Sequence, residues 1–248
     1  MKVIASFSIK GGVGKTTAAV NLAHEAAASG ARVLVWDLDP QGAATFFLRV
    51  RPLIKGGAER LAGPKGALEP HLHGTDQPGL HVVPSDFSLR HLDLHLDDGK
   101  RPRRRLRDLL DPLADQYDVA FLDCPPGITL TSESVFRASD FLVVPTIPTT
   151  LSRRTLDQLA GFLVDIKEPP TLLAFASMVD RRKSLHRDVV AGLVATVPGY
   201  LPTAIPSASI IERMGIERSA VRTYAPDSAA AMAFHQLWLD VARYLWPN

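Results

Sequence analysis

Short apolar runs recur along the chain at 3–9, 32–38, 80–84, 118–123, 140–146, 171–178 and 201–205. Between most of them lie stretches whose apolar positions return every three or four residues, as from Thr17 to Ser29. The first pattern predicts strands and the second predicts amphipathic helices. Runs such as Phe141-Leu142-Val143-Val144 are apolar throughout rather than alternating. Strands read this way when both faces of their sheet are covered, and strand–helix alternation implies parallel pairing. The expected fold class is therefore α/β: a doubly wound, mostly parallel sheet with helices on both faces. Its 248 residues suffice for a single domain over 1–248 with a sizeable core. Two stretches break the pattern. Residues 50–79 carry Gly56-Gly57, Gly63-Pro64, Gly66 and Pro78-Gly79, which predicts a short helix within loops. Residues 97–105 form a charged connection leading into a helix.

Composition bounds the reading without deciding it. Apolar residues make up 46% and charged residues 22%, ordinary values for a globular chain. A net charge of +2 means that any affinity for nucleic acid must come from local patches. The single cysteine, Cys124, excludes a disulfide framework and fits a reducing cytosol, as a small buried residue behind a strand. An apolar strand beginning at the N-terminus predicts no signal peptide, and no apolar run is long enough to span a bilayer. The expected location is cytoplasmic.

Candidate chemistry begins at Lys10-Gly11-Gly12-Val13-Gly14-Lys15-Thr16-Thr17, placed after the first strand and before the first helix. Strand, glycine loop and helix together cradle phosphates. Glycines let backbone amides approach the oxygens, and the helix N-terminus adds partial positive charge. In such a loop Lys15 reaches the β- and γ-phosphates and the Thr16 hydroxyl holds Mg²⁺. The strict G-x-x-x-x-G-K-[ST] pattern is not met, because its first position falls on Ile9. Instead a second lysine, Lys10, stands at the loop entrance. Two further strand ends carry carboxylates: Asp37-Leu38-Asp39-Pro40-Gln41-Gly42 and Asp123-Cys124-Pro125-Pro126-Gly127. Ligands of open α/β sheets bind at such C-terminal strand ends.

With Lys10 in place, the loop resembles that of the ParA/MinD family of deviant Walker-A P-loop ATPases, in its ParA-type branch, and the two carboxylate motifs follow in that family's order. The resemblance implies ATP and Mg²⁺ as cofactors, with Lys10, Lys15 and Asp39 as catalytic residues. Lys10 would cross a dimer interface to the partner's nucleotide, and Asp39 would orient the attacking water. Gly11, Gly12, Val13, Gly14, Lys15, Thr16 and Thr17 would bind the phosphates. Asp123 would be the Walker-B aspartate acting on Mg²⁺ through water, joined by Thr16, with Asp37 beside the metal. The strand ends Ser177-Met178-Val179-Asp180 and Ile205-Pro206 would bring Met178 and Pro206 to the adenine. A lone cysteine argues against the iron–sulfur relatives, which share a cluster across the dimer. The segment Pro145–Ser152 reads either as a rigid turn with Ser152 capping the next helix or as the family's loop at the dimer face.

Basic residues fall in two runs, one of Lys100, Arg101, Arg103, Arg104, Arg105 and Arg107, the other of Arg181, Arg182, Lys183 and Arg187. Arg213, Arg218 and Arg222 follow. The first run divides evenly between a solvated face and a binding patch. ParA-type relatives bind double-stranded DNA non-specifically through their C-terminal third, which selects Arg181, Arg182, Lys183, Arg187 and Arg213. Dense positive charge without base contacts gives sequence-blind, salt-sensitive binding. The resemblance also implies an ATP-dependent homodimer, nucleoid association, and a ParB-like or cargo-adaptor partner that stimulates slow hydrolysis. The alternative is a MinD-like membrane-cycling ATPase. The last helix, about Ser228 to Trp246, spaces Phe234, Trp238, Val241 and Leu245 for core packing. Its polar face offers Arg243 and Asp240 but no lysine, which makes a membrane partner the weaker expectation.

Overall fold

The computed structural model describes residues 1–247. Eight strands form one sheet: β1 (Lys2–Ser6), β2 (Val33–Asp37), β3 (His73–Gly74), β4 (Leu80–Val83), β5 (Val119–Asp123), β6 (Phe141–Thr146), β7 (Thr171–Val179) and β8 (Tyr200–Pro206). Their order is β3-β4-β2-β5-β1-β6-β7-β8. Only the two-residue edge strand β3 is antiparallel; every other pairing is parallel. The longer helices are α1 (Lys15–Ala28), α2 (Ala43–Phe47), α3 (Gly57–Ala62), α4 (Leu92–Asp97), α5 (Arg105–Leu110), α6 (Leu130–Ala138), α7 (Ser152–Leu163) and α8 (Ser184–Thr196). Three single turns, α9 (Ser209–Glu212), α10 (Met214–Glu217) and α11 (Val221–Tyr224), precede the long closing helix α12 (Ala229–Leu245).

The apolar strands divide cleanly between two cores. Ala5, Phe7, Leu34, Trp36, Ala120, Leu122, Leu142 and Val144 face one layer, which draws on α3 to α8. Their alternating neighbours Ile4, Val33, Val35, Val119, Phe121, Phe141 and Val143 face the other, made by α1 and α12. Strand side chains alternate between faces, so continuous apolar runs are what a two-sided sheet requires. Alanines along α1 keep its diameter small where it is wedged between the sheet and α12, and Ala19, Ala23 and Ala26 are fully buried. In α12 the four residues spaced for the core, Phe234, Trp238, Val241 and Leu245, are all buried. Ser228 caps that helix by accepting from the Ala231 amide at 3.1 Å.

Three local expectations change. The short helix anticipated in 50–79 is α3, but the same stretch also supplies β3, paired to β4 through His73 and Gly74. That strand is too short to leave a period-two pattern. Ser152 does not cap α7 from outside. It is the helix's first residue, and its hydroxyl accepts from the Thr149 amide and donates to the Ile147 carbonyl, tightening the preceding turn. Half of the first basic run is paired with acids at helical spacing or across helices: Arg103 with Glu133, Arg104 with Asp108, Arg107 with Asp111.

Phe7, which continues β1 toward the glycine loop, meets Phe136 of α6 edge to face at 4.8 Å between ring centroids. Neither ring is more than 1% exposed. Phe136→Ala is expected to cost about 3–5 kcal/mol, a large share of a typical domain's stability. Urea unfolding should show a lower midpoint with an unchanged slope.

Candidate nucleotide and metal site

β1 is the central strand on which the site depends. Its register pairs Ser6 with Asp123, and β2's pairs Asp37 with Asp123, so three neighbouring strands end level with one another. The chain leaves β1, loops through Lys10–Gly14 and enters α1 at Lys15. Ser6 Oγ donates to the Lys15 carbonyl at 2.8 Å, which ties the helix start back to the strand end and closes the loop. Gly12 and Gly14 adopt left-handed φ values of 69° and 96°. Gly14 is also hemmed in: a Cβ there would sit 2.9 Å from Ser177 Oγ on β7. Gly11 has open space around it. Val13 is buried and anchors the loop's middle. No side chain caps the N-terminus of α1. Its first amides therefore remain available to an anion.

Lys15 is only 7% exposed, and its ammonium folds over the loop to the Lys10 carbonyl at 3.4 Å. Lys10 itself is exposed. Thr16 is half-buried and Asp123 fully buried. Neither Asp123 oxygen has a hydrogen-bond partner. Burial pushes this carboxylate well above its ordinary range, and the nearby Asp37 charge pushes it further; the Thr16 hydroxyl and Lys15 only partly oppose this. An orphaned, buried carboxylate beside a hydroxyl is a donor set that a hard divalent cation would satisfy. Among the described residues no three His, Cys, Asp or Glu side chains cluster closely enough to hold a metal by themselves. The remaining ligands would have to be phosphate and water, the usual way Mg²⁺ is held beside a phosphate loop.

Asp37 is equally buried but fully engaged. Its Oδ2 accepts from the Thr45 amide at 2.8 Å and the Thr45 hydroxyl at 2.7 Å, and its Oδ1 accepts from the Asp39 amide at 3.2 Å. Burial raises it to about 6 despite these donors. Asp39 is half-buried on the loop beyond β2, where its Oδ1 accepts from the Gln41 amide at 3.0 Å. Met178 and Pro206 end neighbouring strands, and the β7–β8 register slips just before Val179 meets Pro206. Met178 takes the uncommon left-handed φ of 55° and is 39% exposed. With Ser177 against Gly14, this strand end lies at the glycine loop.

The second basic run follows directly from β7 and shares that edge of the sheet. Arg182 is bound through two nitrogens to Asp180, at 3.0 Å each, and holds its carboxyl down at about 2. Arg187 donates to the Arg181 carbonyl at 2.9 Å rather than pairing with an acid, and Arg213 pairs with Glu217 at 2.6 Å. Arg181 and Lys183 are exposed and make no ion pair among the described residues. Sequence reasoning missed Thr45 and Ser85, and named Ser177 only as part of a strand end. The hydroxyls of Thr45 and Ser85 carry no motif, and only folding brings them to the Asp39 loop.

A glycine loop with left-handed turns between a central parallel strand and a helix, with a buried lysine and an aspartate one strand away, defines a P-loop nucleotide-binding protein. A family model described as an AAA domain matches residues 1–172. The chromosome partitioning protein ParA of Myxococcus xanthus is 33% identical over 198 residues, covering 76% of this chain and 69% of that protein. Among solved structures, a cobyrinic acid a,c-diamide synthase of Mycobacterium smegmatis with a bound ATP analogue and magnesium superposes with a TM-score of 0.81 at 25% identity, covering 98% of this chain and 95% of that one. The cell division ATPase MinD of Pyrococcus furiosus has the same fold, with a TM-score of 0.80 at 23% identity and coverage of 98% and 99%. The chain belongs to the ParA/MinD family of P-loop ATPases.

Gly14→Ala should lower folding stability by roughly 1–2 kcal/mol, the cost of a left-handed alanine, and its Cβ would push on the Ser177 hydroxyl. Gly11→Ala, in open space at ordinary φ, should leave thermal stability unchanged. Melting curves on both variants check this.

The buried carboxylates also set a pH dependence for the nucleotide-free protein. Folding raises Asp37 from 3.8 to about 6, and raises Asp123 too, so the folded state binds more protons than the unfolded one. That contribution is fully present below about pH 4 and is lost as pH rises through about 6 and beyond. Urea midpoints from pH 5 to 8 should fall, and Asp123→Asn should flatten the fall.

Proposed function

We propose that this chain is an ATP-dependent dimerising switch of the partition or positioning type. It binds DNA without sequence preference when loaded with ATP and is reset by slow hydrolysis. The observation that carries the reading is Asp123, buried and unpartnered one strand from the Lys15 loop. ATP and Mg²⁺ fit there. The metal would supply charge neutralisation at the β- and γ-phosphates. Thr16 and, through water, Asp123 would hold it, with Asp37 beside them. Lys15 and the amides from Gly11 to Thr17 bind the phosphates. Met178 and Pro206 flank the adenine. Asp39 orients the attacking water, and the exposed Lys10 acts on the nucleotide of the opposite subunit. Phosphoryl transfer asks little of a protein beyond positioning and charge. The absence of a strong general base suits a timer rather than a metabolic enzyme.

For DNA, Arg181 and Lys183 are the cations of the second basic run that hold no ion pair and are free to meet phosphates. Arg182, Arg187 and Arg213 are recruited from existing partners. The name of the Myxococcus relative, a chromosome partitioning protein, supports a partition role. In that role a ParB-like or cargo-adaptor protein would stimulate turnover. A membrane-cycling role has less support, because α12 buries its apolar face in the core. No described helix is long and apolar enough to cross a membrane.

The test combines three variants with two duplexes. Lys15→Ala should lose ATP binding. Asp39→Ala should bind ATP and accumulate as a dimer in gel filtration. Lys10→Ala should bind ATP but fail to dimerise, with turnover down by roughly 10³–10⁵ if its charge acts like other trans-acting cations. Shift assays on two unrelated duplexes should show ATP-enhanced, sequence-blind binding. Replacing Arg181, Arg182 and Lys183 by alanine should reduce the log–log salt slope by about 0.9 for each phosphate left without its cation. Equal DNA affinity with and without ATP would sink the switch reading. Turnover appearing only with a small acid substrate would favour a ligase instead.

A further inference from the structure

Asp39 lies on a loop, yet the peptide that carries it is held by buried groups on three separate segments. Asp37 Oδ1 accepts from the Asp39 amide at 3.2 Å, and Asp37 Oδ2 accepts both the amide and the hydroxyl of Thr45. With its proton given to Asp37, Thr45 Oγ1 is left to accept, and the Ser85 amide donates into it at 2.8 Å. Ser85 Oγ then donates to the Asp39 carbonyl at 2.6 Å. Together these hydrogen bonds close a ring that grips Asp39 at both its N–H and its C=O. Asp37 and Ser85 are 0% exposed and Thr45 is 1% exposed, so water does not compete for these groups. Donor and acceptor roles are forced around the ring, because Asp37 can only accept when ionised and backbone amides can only donate.

We propose that Thr45 and Ser85 are positioning residues for ATP hydrolysis, fixing the Asp39 peptide so that its side chain meets the attacking water in one geometry. The proposal rests on the reading of Asp39 as the water-orienting residue. Misplacing a positioning group by about 1 Å can cost roughly 10²-fold in rate. The hydrogen bonds of Ser85 go to Thr45 and the Asp39 carbonyl and not to Asp37 or the phosphate loop, so its loss should fall on turnover and not on nucleotide binding. Thr45 needs its hydroxyl for two roles, donor to Asp37 and acceptor from Ser85. Serine can fill both, and valine, with the same shape, can fill neither.

The experiment measures kcat, KM and equilibrium ATP affinity for Ser85→Ala, Thr45→Ser and Thr45→Val, each also in an Asp39→Ala background. Ser85→Ala removes one hydrogen bond, that to the Asp39 carbonyl, and should lower kcat tenfold or more with ATP affinity unchanged. Thr45→Ser should retain most turnover, and Thr45→Val should lose it. Neither Ser85→Ala nor Thr45→Val should lower the residual rate of Asp39→Ala further. Should Thr45→Val fail to fold, Ser85→Ala carries the test alone. If Asp39→Ala cuts turnover while Ser85→Ala leaves kcat intact, the positioning role is wrong and the Asp39 reading stands. If Asp39→Ala itself leaves turnover unchanged, the underlying reading has failed. A Ser85→Ala variant that loses ATP affinity in proportion to rate would reduce Ser85 to a structural residue.

Discussion

Asp123 ends β5 fully buried, and neither carboxylate oxygen has a hydrogen-bond partner, although the Thr16 hydroxyl lies beside it. Much of the surrounding structure follows from keeping it there. The parallel register sets it level with Ser6 and Asp37, between the strand that feeds the glycine loop and the strand that feeds Asp39. A buried group of this kind destabilises the folded chain unless it is neutral or paired. Burial, with the Asp37 charge nearby, raises its proton affinity. The apolar strands on either side supply the compensation: two cores, one per sheet face, with Trp36, Phe121 and Phe136 almost wholly buried. A cation arriving with phosphate would relieve both the desolvation and the repulsion from Asp37. Ligand binding and the pH dependence of stability therefore draw on the same pair of carboxylates.

The features legible in the sequence were those that local chemistry writes in short segments. Continuous apolar runs reported a two-sided sheet, and the run at 141–144 lies inside β6. The glycine loop announced itself because left-handed turns and close backbone approach both demand glycine, as at Gly14. Cys124 is buried behind β5, at 1% exposure. The α12 core residues followed from helical spacing. What escaped were contacts between residues far apart in the chain. Ser85 reaches Asp39 across 46 positions, and Ser177 meets Gly14 from a strand two places away in the sheet. A serine or threonine in a loop has no pattern that distinguishes a turn from a buried bridge, so the ring around Asp39 was invisible before folding.

The two basic runs show how little a count of charges says about their availability. In the first, acids four residues on at Asp108 and Asp111, and Glu133 across from Arg103, occupy three of the arginines. Arg105 turns inward and donates to the carbonyls of Leu61, Gly63 and Gly66, closing the C-terminal end of α3. That arginine is structural. The same arithmetic leaves two exposed cations without an ion pair or a side-chain hydrogen bond in each run among the described residues, Lys100 and Arg101 in the first and Arg181 and Lys183 in the second, the latter just beyond the end of β7. Exposed pairs are worth little, about 0–1 kcal/mol, so Arg182 can exchange Asp180 for another anion at small cost.

The segment carrying Thr45 is anchored at its far end as firmly as at Asp37. Arg218 donates to the Phe46 carbonyl at 3.0 Å and lays its guanidinium over the Phe46 ring at 4.5 Å. Arg49 returns the contact, donating to the carbonyls of Arg218 and Glu217 at 3.1 and 2.7 Å. Each arginine satisfies free carbonyls at the C-terminal end of the other's helix. Both adopt left-handed backbone, with φ of 58° and 48°. Non-glycine residues hold that conformation only where surrounding contacts over-determine it. Helix α2 is thus gripped by Asp37 at one end and by the α10 turn at the other. Any displacement of the Asp39 loop that carries α2 with it has to break this exchange of arginines or move residues 214–218 along. The outer surface after β8 is mechanically tied to the strand end that carries Asp39, through the single short helix α2.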